Sequence, residues 1–258
     1  MFSSLEVPTV ELGGVNISRF DFDTTMQWIE GRLQRNEFTQ VATANMDFLN
    51  LCSNQPRVKE ILNRQCHLVT ADGMPLLWLA RAVGLPIRER VAGSDMLAKV
   101  AAVAARLKLR VFFLGGDARV TPAAVRVLRE QIPNLRVAGM NCERFDENDP
   151  KKVGAIVEEI RLSRADVLFV ALGCPKQERF IAHNREQLNV RFAMGVGGTF
   201  DFIAGFRRRA PRWMQRVGME WACRMIQEPR RLAPRYMNNL VCLARLTAMA
   251  ASSRIFQH

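Results

Sequence analysis

Paired cysteines of the C-x-x-C kind are missing from this sequence. The six cysteines (Cys52, Cys66, Cys142, Cys174, Cys223 and Cys242) are scattered. That reads as free thiols in a reducing cytoplasm, with neither a disulfide framework nor a zinc site. Histidine is scarce, and His67, His183 and His258 have no metal-ligand spacing, so no metal is expected. A single tyrosine leaves too little for the aromatic platform of a single-strand nucleic-acid binder. No uncharged run approaches the ~18 residues that a spanning helix needs. The first residues, Met1 to Leu12, lack a basic stretch followed by an apolar one, so no signal peptide is expected. G-x-G-x-x-G opening a helix and G-x-x-x-x-G-K-[ST] are both absent, which argues against a dinucleotide cofactor and a P-loop.

What is present is an ordinary globular balance over 258 residues, with 48% apolar and 24% charged side chains. Collagen, wholesale disorder and a multi-span membrane protein are excluded. The net charge of +12 is unevenly placed. From Gly205 to His258 there are eleven arginines, no lysine and two acids, so this tail holds nine of the twelve excess positive charges. The chain therefore divides into a main body, 1–204, and an Arg-rich appendage, 205–258. Guanidinium forks suit phosphate, so the tail points to a diphosphate, an anionic membrane surface, or both. A solvated helix face and nucleic acid are the rival readings.

Five short apolar runs read as buried strands: Thr39–Thr43, His67–Ala71, Arg110–Leu114, Asp166–Leu172 and Arg191–Met194. Arg136–Gly139 is a candidate sixth. Helical periodicity lies between them, over Thr24–Arg35, Ser94–Leu107 (with Ser94 as its cap), Thr121–Ile132 and Pro150–Ser163. Strand alternating with helix predicts an α/β fold with a mainly parallel sheet covered by helices. Such sheets bind ligands beyond the carboxyl ends of their strands. That rule makes candidates of Thr43, Asn45, Asp72, Gly115, Gly116, Asp117, Lys176, Gln177, Glu178, Gly197, Gly198 and Asp201.

Asp72 follows a strand and precedes an apolar stretch, so it is either a helix cap or a general base. The glycine-rich turns at 115–116 and 195–198 permit close backbone approach to a ligand or are simple turns. Lys176-Gln177-Glu178 sets a cation, an amide and a carboxylate at one strand mouth; it is a sugar- or base-edge reader or a solvated helix start. Asp21-Phe22-Asp23 has D-x-D spacing but opens a helix, which favours capping over metal binding. In the tail, Trp213, Met214, Val217, Trp221 and Met225 form one helical stripe opposite Arg212, Arg216, Glu220 and Arg224. That helix suits its own domain, a partner subunit in a homo-oligomer, or a membrane interface. Pro229 and Pro234 are expected to break the path before a further helix from Arg235.

Several of these segments together resemble one family. They are Thr43-Ala-Asn45, Ala71-Asp-Gly73, Phe112-Phe-Leu-Gly-Gly116, Leu172-Gly-Cys-Pro-Lys-Gln-Glu178, Gly195-Val-Gly-Gly-Thr-Phe-Asp-Phe-Ile-Ala-Gly205, Arg209-Ala-Pro-Arg-Trp-Met214, Gly218-Met-Glu-Trp221 and Glu228-Pro-Arg-Arg-Leu232. The chain resembles the WecG/TagA/CpsF glycosyltransferases from about Val7 to Tyr236. The resemblance implies a Rossmann-like domain with a C-terminal helical appendage. It implies an inverting, metal-independent transfer of a sugar of the N-acetylmannosamine, uronate or glucose type. The donor would be a UDP-sugar and the acceptor a polyprenyl-diphosphate-linked saccharide, on the inner face of the bacterial membrane. No cofactor is implied.

By position, Asp72 matches the family's proposed base, Thr43 and Asn45 its substrate-pocket pair, and Gln177 its PKQE loop. Arg224 and Arg231 match appendage arginines that grip the diphosphate. The family often has another arginine three residues after the second of these; here that place is Pro234, and Arg235 beside it is the candidate replacement. Arg207, Arg208 and Arg254 are expected to meet only the membrane surface. A basic nucleic-acid-binding α/β protein is the alternative, and the lone tyrosine argues against it.

Overall fold

A computed structural model describes residues 6–211, Met214 and residues 219–255; the side chains of Arg224, Gln227, Arg231 and residues 249–255 are outside that description. A hairpin comes first, β1 (Thr9–Leu12) and β2 (Val15–Ser18), antiparallel. Its turn, Gly13-Gly14, has φ of +59° and +81°, a left-handed pair that glycine adopts without strain. All six expected strands follow: β3 (Thr39–Ala44), β4 (Leu68–Ala71), β5 (Arg110–Gly115), β6 (Arg136–Asn141), β7 (Val167–Ala171) and β8 (Phe192–Gly195). They form one parallel sheet in the order β4-β3-β8-β7-β5-β6.

The helices are α1 (Phe22–Gln34), α2 (Met46–Asn54), α3 (Pro56–Glu60), α4 (Met74–Ala82), α5 (Gly93–Arg106), α6 (Val120–Gln131), α7 (Pro150–Ser163), α8 (Lys176–Leu188), α9 (Thr199–Ile203), α10 (Glu220–Gln227) and α11 (Pro229–Ile255). A π-helical turn, Ile61–Gln65, follows α3. Side chains alternate between the two faces of the sheet, and both faces are covered. Along β5, Val111 and Phe113 join Val100 of α5 and Leu128 of α6. Phe112 and Leu114 point the other way, to Ile156 and Ile160 of α7 and Ile181 of α8. Because neither face of the central strands meets water, β5 and β7 read as continuous apolar runs without polar alternation, while the edge strand β6 stays partly exposed.

A third cluster joins the hairpin to α2 and α4 through Leu12, Val15, Ile17, Leu49, Leu76 and Leu79. Helix α11 packs on α2 and α4, and it buries Leu232 and Cys242. The appendage thus shares core with the main body. Two local expectations are corrected. Pro234 lies inside α11 without ending it, and Pro229 opens that helix; packing against α2 and α4 compensates for the hydrogen bond that proline removes. Ser94 does not cap α5, which starts at Gly93 with no side-chain cap bond from its N-cap residue, Ala92. The Gly93 N–H is instead taken by the Asp72 carboxylate. Asp21 does cap α1, accepting from the Thr24 N–H at 2.8 Å.

Candidate active site

The neighbouring strands β3, β4 and β8 bring their carboxyl ends together from distant parts of the chain. Beside those ends lies a cavity of about 390 Å³, within the size range of small-molecule sites. Of the expected residues, Thr43, Asn45, Asp72, Gln177, Gly197, Gly198 and Arg235 line it. Gly115, Gly116, Lys176, Glu178 and Asp201 do not. The side chains of Arg224 and Arg231 lie outside the described residues.

Asp72 leaves the end of β4, where its backbone N–H donates to the Ala44 carbonyl at 2.7 Å. The next residue, Gly73, has φ of +109°, a value that side chains rarely adopt; it turns the chain directly into α4. Asp72 makes no capping bond to α4. Its carboxyl lines the cavity with 29% of the side chain open. Burial is the main cause that raises its pKa, to about 6; Arg90 and the Gly93 N–H pull it down, while Glu220 and Asp95 push it up. A carboxylate in that state is a stronger base than an exposed one and is still ionised at neutral pH.

Asn45 caps α2, its Oδ1 accepting from the N–H groups of Asp47 at 3.0 Å and Phe48 at 3.4 Å. That commitment leaves the amide nitrogen as the group for a ligand. Thr43 packs against the start of α5, where a Cβ on Gly93 would sit 3.2 Å from the Thr43 hydroxyl. Both ends of the Gln177 amide are engaged. Its Oε1 accepts from the Gly197 N–H at 3.0 Å and its Nε2 donates to Glu178 Oε1 at 2.8 Å. Gln177 therefore fixes the 195–198 turn against α8, and the Gln177–Glu178 pair is buried, unlike a solvated helix start. Burial raises the Glu178 pKa to about 7.

The glycines at 115 and 116 serve chain packing. A Cβ on Gly115 would fall 2.7 Å from the Ala171 carbonyl oxygen, and one on Gly116 would collide with Thr121 Oγ1. Asp201 reaches the cavity through Arg207, which lies 3.4 Å from it and 2.8 Å from Glu228. Arg207 was expected only at the membrane surface, yet it lines the cavity. The Arg207 N–H donates to the Asp201 carbonyl at 3.1 Å just after α9, and this local turn holds Arg207 beside the cavity.

The appendage closes the other side. Arg235 pairs with Asp47, and Asn239 donates to the same carboxylate at 2.9 Å. Arg235 is thus neutralised by Asp47 before any ligand arrives. Trp221 and Tyr236 meet edge to face, 5.9 Å between ring centres, and both line the cavity. Asp47, Arg90, Glu220, Tyr236 and Asn239 are lining residues that the sequence reading did not select. Arg90 sits in a loop with no periodicity or motif to mark it. In sequence Glu220 is marked only as one of the polar residues opposite the apolar stripe; its carboxylate engages Arg90 and Arg209.

Among the described residues no group of three or more His, Cys, Asp or Glu is arranged to hold a metal ion. No helix there is long and apolar enough to cross a membrane.

Comparison with known proteins places this site in context. A chain from Bacillus spizizenii is 29% identical over 199 residues, 77% of this chain and 75% of the relative. A chain from Staphylococcus aureus is 28% identical over 225 residues, 84% of this chain and 86% of the relative. Both are named N-acetylglucosaminyldiphosphoundecaprenol N-acetyl-beta-D-mannosaminyltransferase. The model of the glycosyl transferase WecG/TagA/CpsF family matches residues 10–255. With nearly the whole chain matched, strand ends and appendage alike, this protein is an enzyme of the WecG/TagA/CpsF glycosyltransferase family.

Proposed function

We propose that the enzyme transfers a sugar from a UDP-sugar to a polyprenyl-diphosphate-linked saccharide, with inversion and without a divalent metal. The observation that carries this reading is Asp72: a carboxylate with raised basicity that lines the cavity, bound to the Gly93 N–H at the start of α5 and making no capping bond to α4 directly after it. An inverting displacement needs one base. Asp72 takes the proton of the acceptor hydroxyl as that oxygen bonds to the sugar's anomeric carbon. The bond from that carbon to the UDP oxygen breaks, and UDP leaves with the electron pair. Among the sugars that the resemblance allows, N-acetylmannosaminyl is supported by the names of the two relatives, as is a diphosphoundecaprenol-linked N-acetylglucosamine acceptor. The β linkage in those names fits inversion of an α-linked donor.

Arginine takes the part that a metal plays in other sugar-nucleotide enzymes. The D-x-D aspartate Asp21 is occupied in capping α1. Arg207 is at the cavity, and Arg224 and Arg231 are proposed to reach the leaving diphosphate, where fixed cations stabilise developing charge. The exposed apolar side chains Ile226, Met237, Leu240 and Val241 of α10 and α11, together with the tail's arginines, suit a peripheral position on an anionic bilayer.

The experiment is a panel of UDP-sugars offered with a short-chain polyprenyl-diphosphate N-acetylglucosamine acceptor, scored by product mass. Turnover is expected with UDP-N-acetylmannosamine. Asp72→Asn should lower the rate by ~10²–10⁴ with UDP binding nearly unchanged; more than a tenth of wild-type activity would remove Asp72 from the role. Exhaustive EDTA treatment should leave turnover intact. Loss that Mg²⁺ or Mn²⁺ specifically restores would overturn the metal-free reading.

A further inference from the structure

One carboxylate near Asp72 comes from far along the chain and neither caps a helix nor fills a core. Glu220 opens α10, and its Oε2 lies 3.3 Å from Arg90 Nη1. The same Nη1 is 3.8 Å from Asp72 Oδ1, beyond hydrogen-bond reach. The other arm of Arg90, Nη2, donates to Asp95 at 3.1 Å. Arg209 donates to both oxygens of Asp95, at 2.5 and 3.0 Å, and its Nε stands 3.7 Å from Glu220 Oε1. The groups facing Asp72 are therefore Arg90 from the loop before α5, the Gly93 N–H and Asp95 from α5, Arg209 from the stretch after α9 and Glu220 from α10.

A guanidinium divides its donors among the acceptors around it. Arg90 is only 16% exposed, so its charge is poorly screened. Paired directly with Asp72, it would hold that carboxyl ionised and weaken it as a base. Glu220 competes for the arm of Arg90 that faces Asp72, and lies closer to it. Its own negative charge acts in the same direction, because it disfavours a second charge nearby.

We propose that Glu220 is a positioning residue that draws Arg90 off Asp72, so that the base is assembled only when the segment carrying Glu220 is docked over the strand ends. The proposal rests on Asp72 being the base. It goes further by making the appendage a setter of basicity as well as a source of arginines.

The test is the pH dependence of kcat and kcat/KM for the full-length chain, with UDP-N-acetylmannosamine and the short-chain acceptor. Wild type should lose activity on the acid side with a midpoint at about 6, where Asp72 takes up its proton. In Glu220→Gln, Arg90 closes on Asp72, and the midpoint should fall by about one pH unit. The alkaline plateau should drop roughly threefold to tenfold, because a weaker base moves the proton more slowly. Glu220→Asp keeps the charge and should stay near the wild-type midpoint. Arg90→Gln added to Glu220→Gln should bring the midpoint back up.

A Glu220→Gln enzyme with an unmoved midpoint, whatever its rate, overturns the proposal, because a purely structural role in docking lowers the rate without moving the midpoint. Failure of the double variant to reverse the shift overturns it too. An Asp72→Asn enzyme with normal turnover sinks the base reading itself, and the inference with it. An inactive Asp72→Asn beside an unmoved Glu220→Gln midpoint sinks the inference alone.

Discussion

Glu178 puts a carboxylate into the interior at the first turn of α8, with 1% of its surface exposed. One oxygen accepts from Gln177; the other, Oε2, has no hydrogen-bond partner among the described residues. A buried carboxylate so placed favours its neutral form, and its pKa rises from 4.5 to about 7. The folded state therefore binds a proton that the unfolded chain has already released between those values. Stability falls as pH rises through that window and is flat above it, by up to about 3 kcal/mol from this group. Glu178→Gln keeps the shape and removes the titration. Its urea midpoint should change less between pH 5 and pH 8 than that of the wild type, and at pH 8 the variant should be the more stable of the two. Parallel pH profiles in the two proteins would mean that Glu178 does not titrate in this range. Asp72 also rises, to about 6, but it is present in both proteins and cancels from the comparison.

At the level of elements, legibility followed burial. The inner strands of the parallel sheet were readable because they are covered on both faces and appear as apolar runs, as in Val167–Ala171, whereas the edge strand β6, with no fully buried residue, gave the weaker signal. The hairpin at Thr9–Ser18 was not, since two four-residue strands give too short a period to stand out. Site residues at strand ends were readable by the same topological rule, which reached Thr43, Asn45, Asp72, Gln177 and Gly197. The rule is blind to what crosses the strand ends from elsewhere. Arg90 belongs to a loop, and Asp47 follows an N-cap that reads as ordinary helix chemistry. Arg207 looks in sequence like any arginine of a basic tail. The places of Asp47 and Arg90 at the cavity are set by packing between segments more than a hundred residues apart, Arg235 on Asp47 and Glu220 on Arg90. Pro234 shows the same override: local chemistry says break, and the packing of α11 on α2 and α4 keeps the helix.

For the whole molecule, the question is what the segment from 205 onward contributes to folding, to the site and to the membrane. Truncation before Gly205 leaves all six parallel strands and their covering helices. It also strips Leu232 and Cys242 from the face of α2 and α4, and with them the partly buried Leu243 and Leu246. A fully buried leucine contributes about 1.5–3 kcal/mol, and a domain of this kind has only about 5–15 kcal/mol in hand. The truncated chain should therefore still unfold cooperatively, at a clearly lower urea midpoint, with more binding of an apolar dye. Turnover should vanish even with a water-soluble acceptor, because Arg207, Glu220, Trp221, Arg235 and Tyr236 leave the cavity together. Normal turnover by the truncated chain would reduce the appendage to a membrane anchor. The anchoring role has its own readout. Arg230 and Arg245 are exposed, so each should contribute about 1 kcal/mol to binding anionic vesicles at low salt, and much less as salt screens them. Arg207 holds Asp201 and Glu228 at the cavity, so its loss should depress turnover with the soluble acceptor and change co-sedimentation little. The two classes of arginine separate in a salt series run beside the kinetics: vesicle binding follows the exposed pair, and catalysis follows the arginine at the cavity.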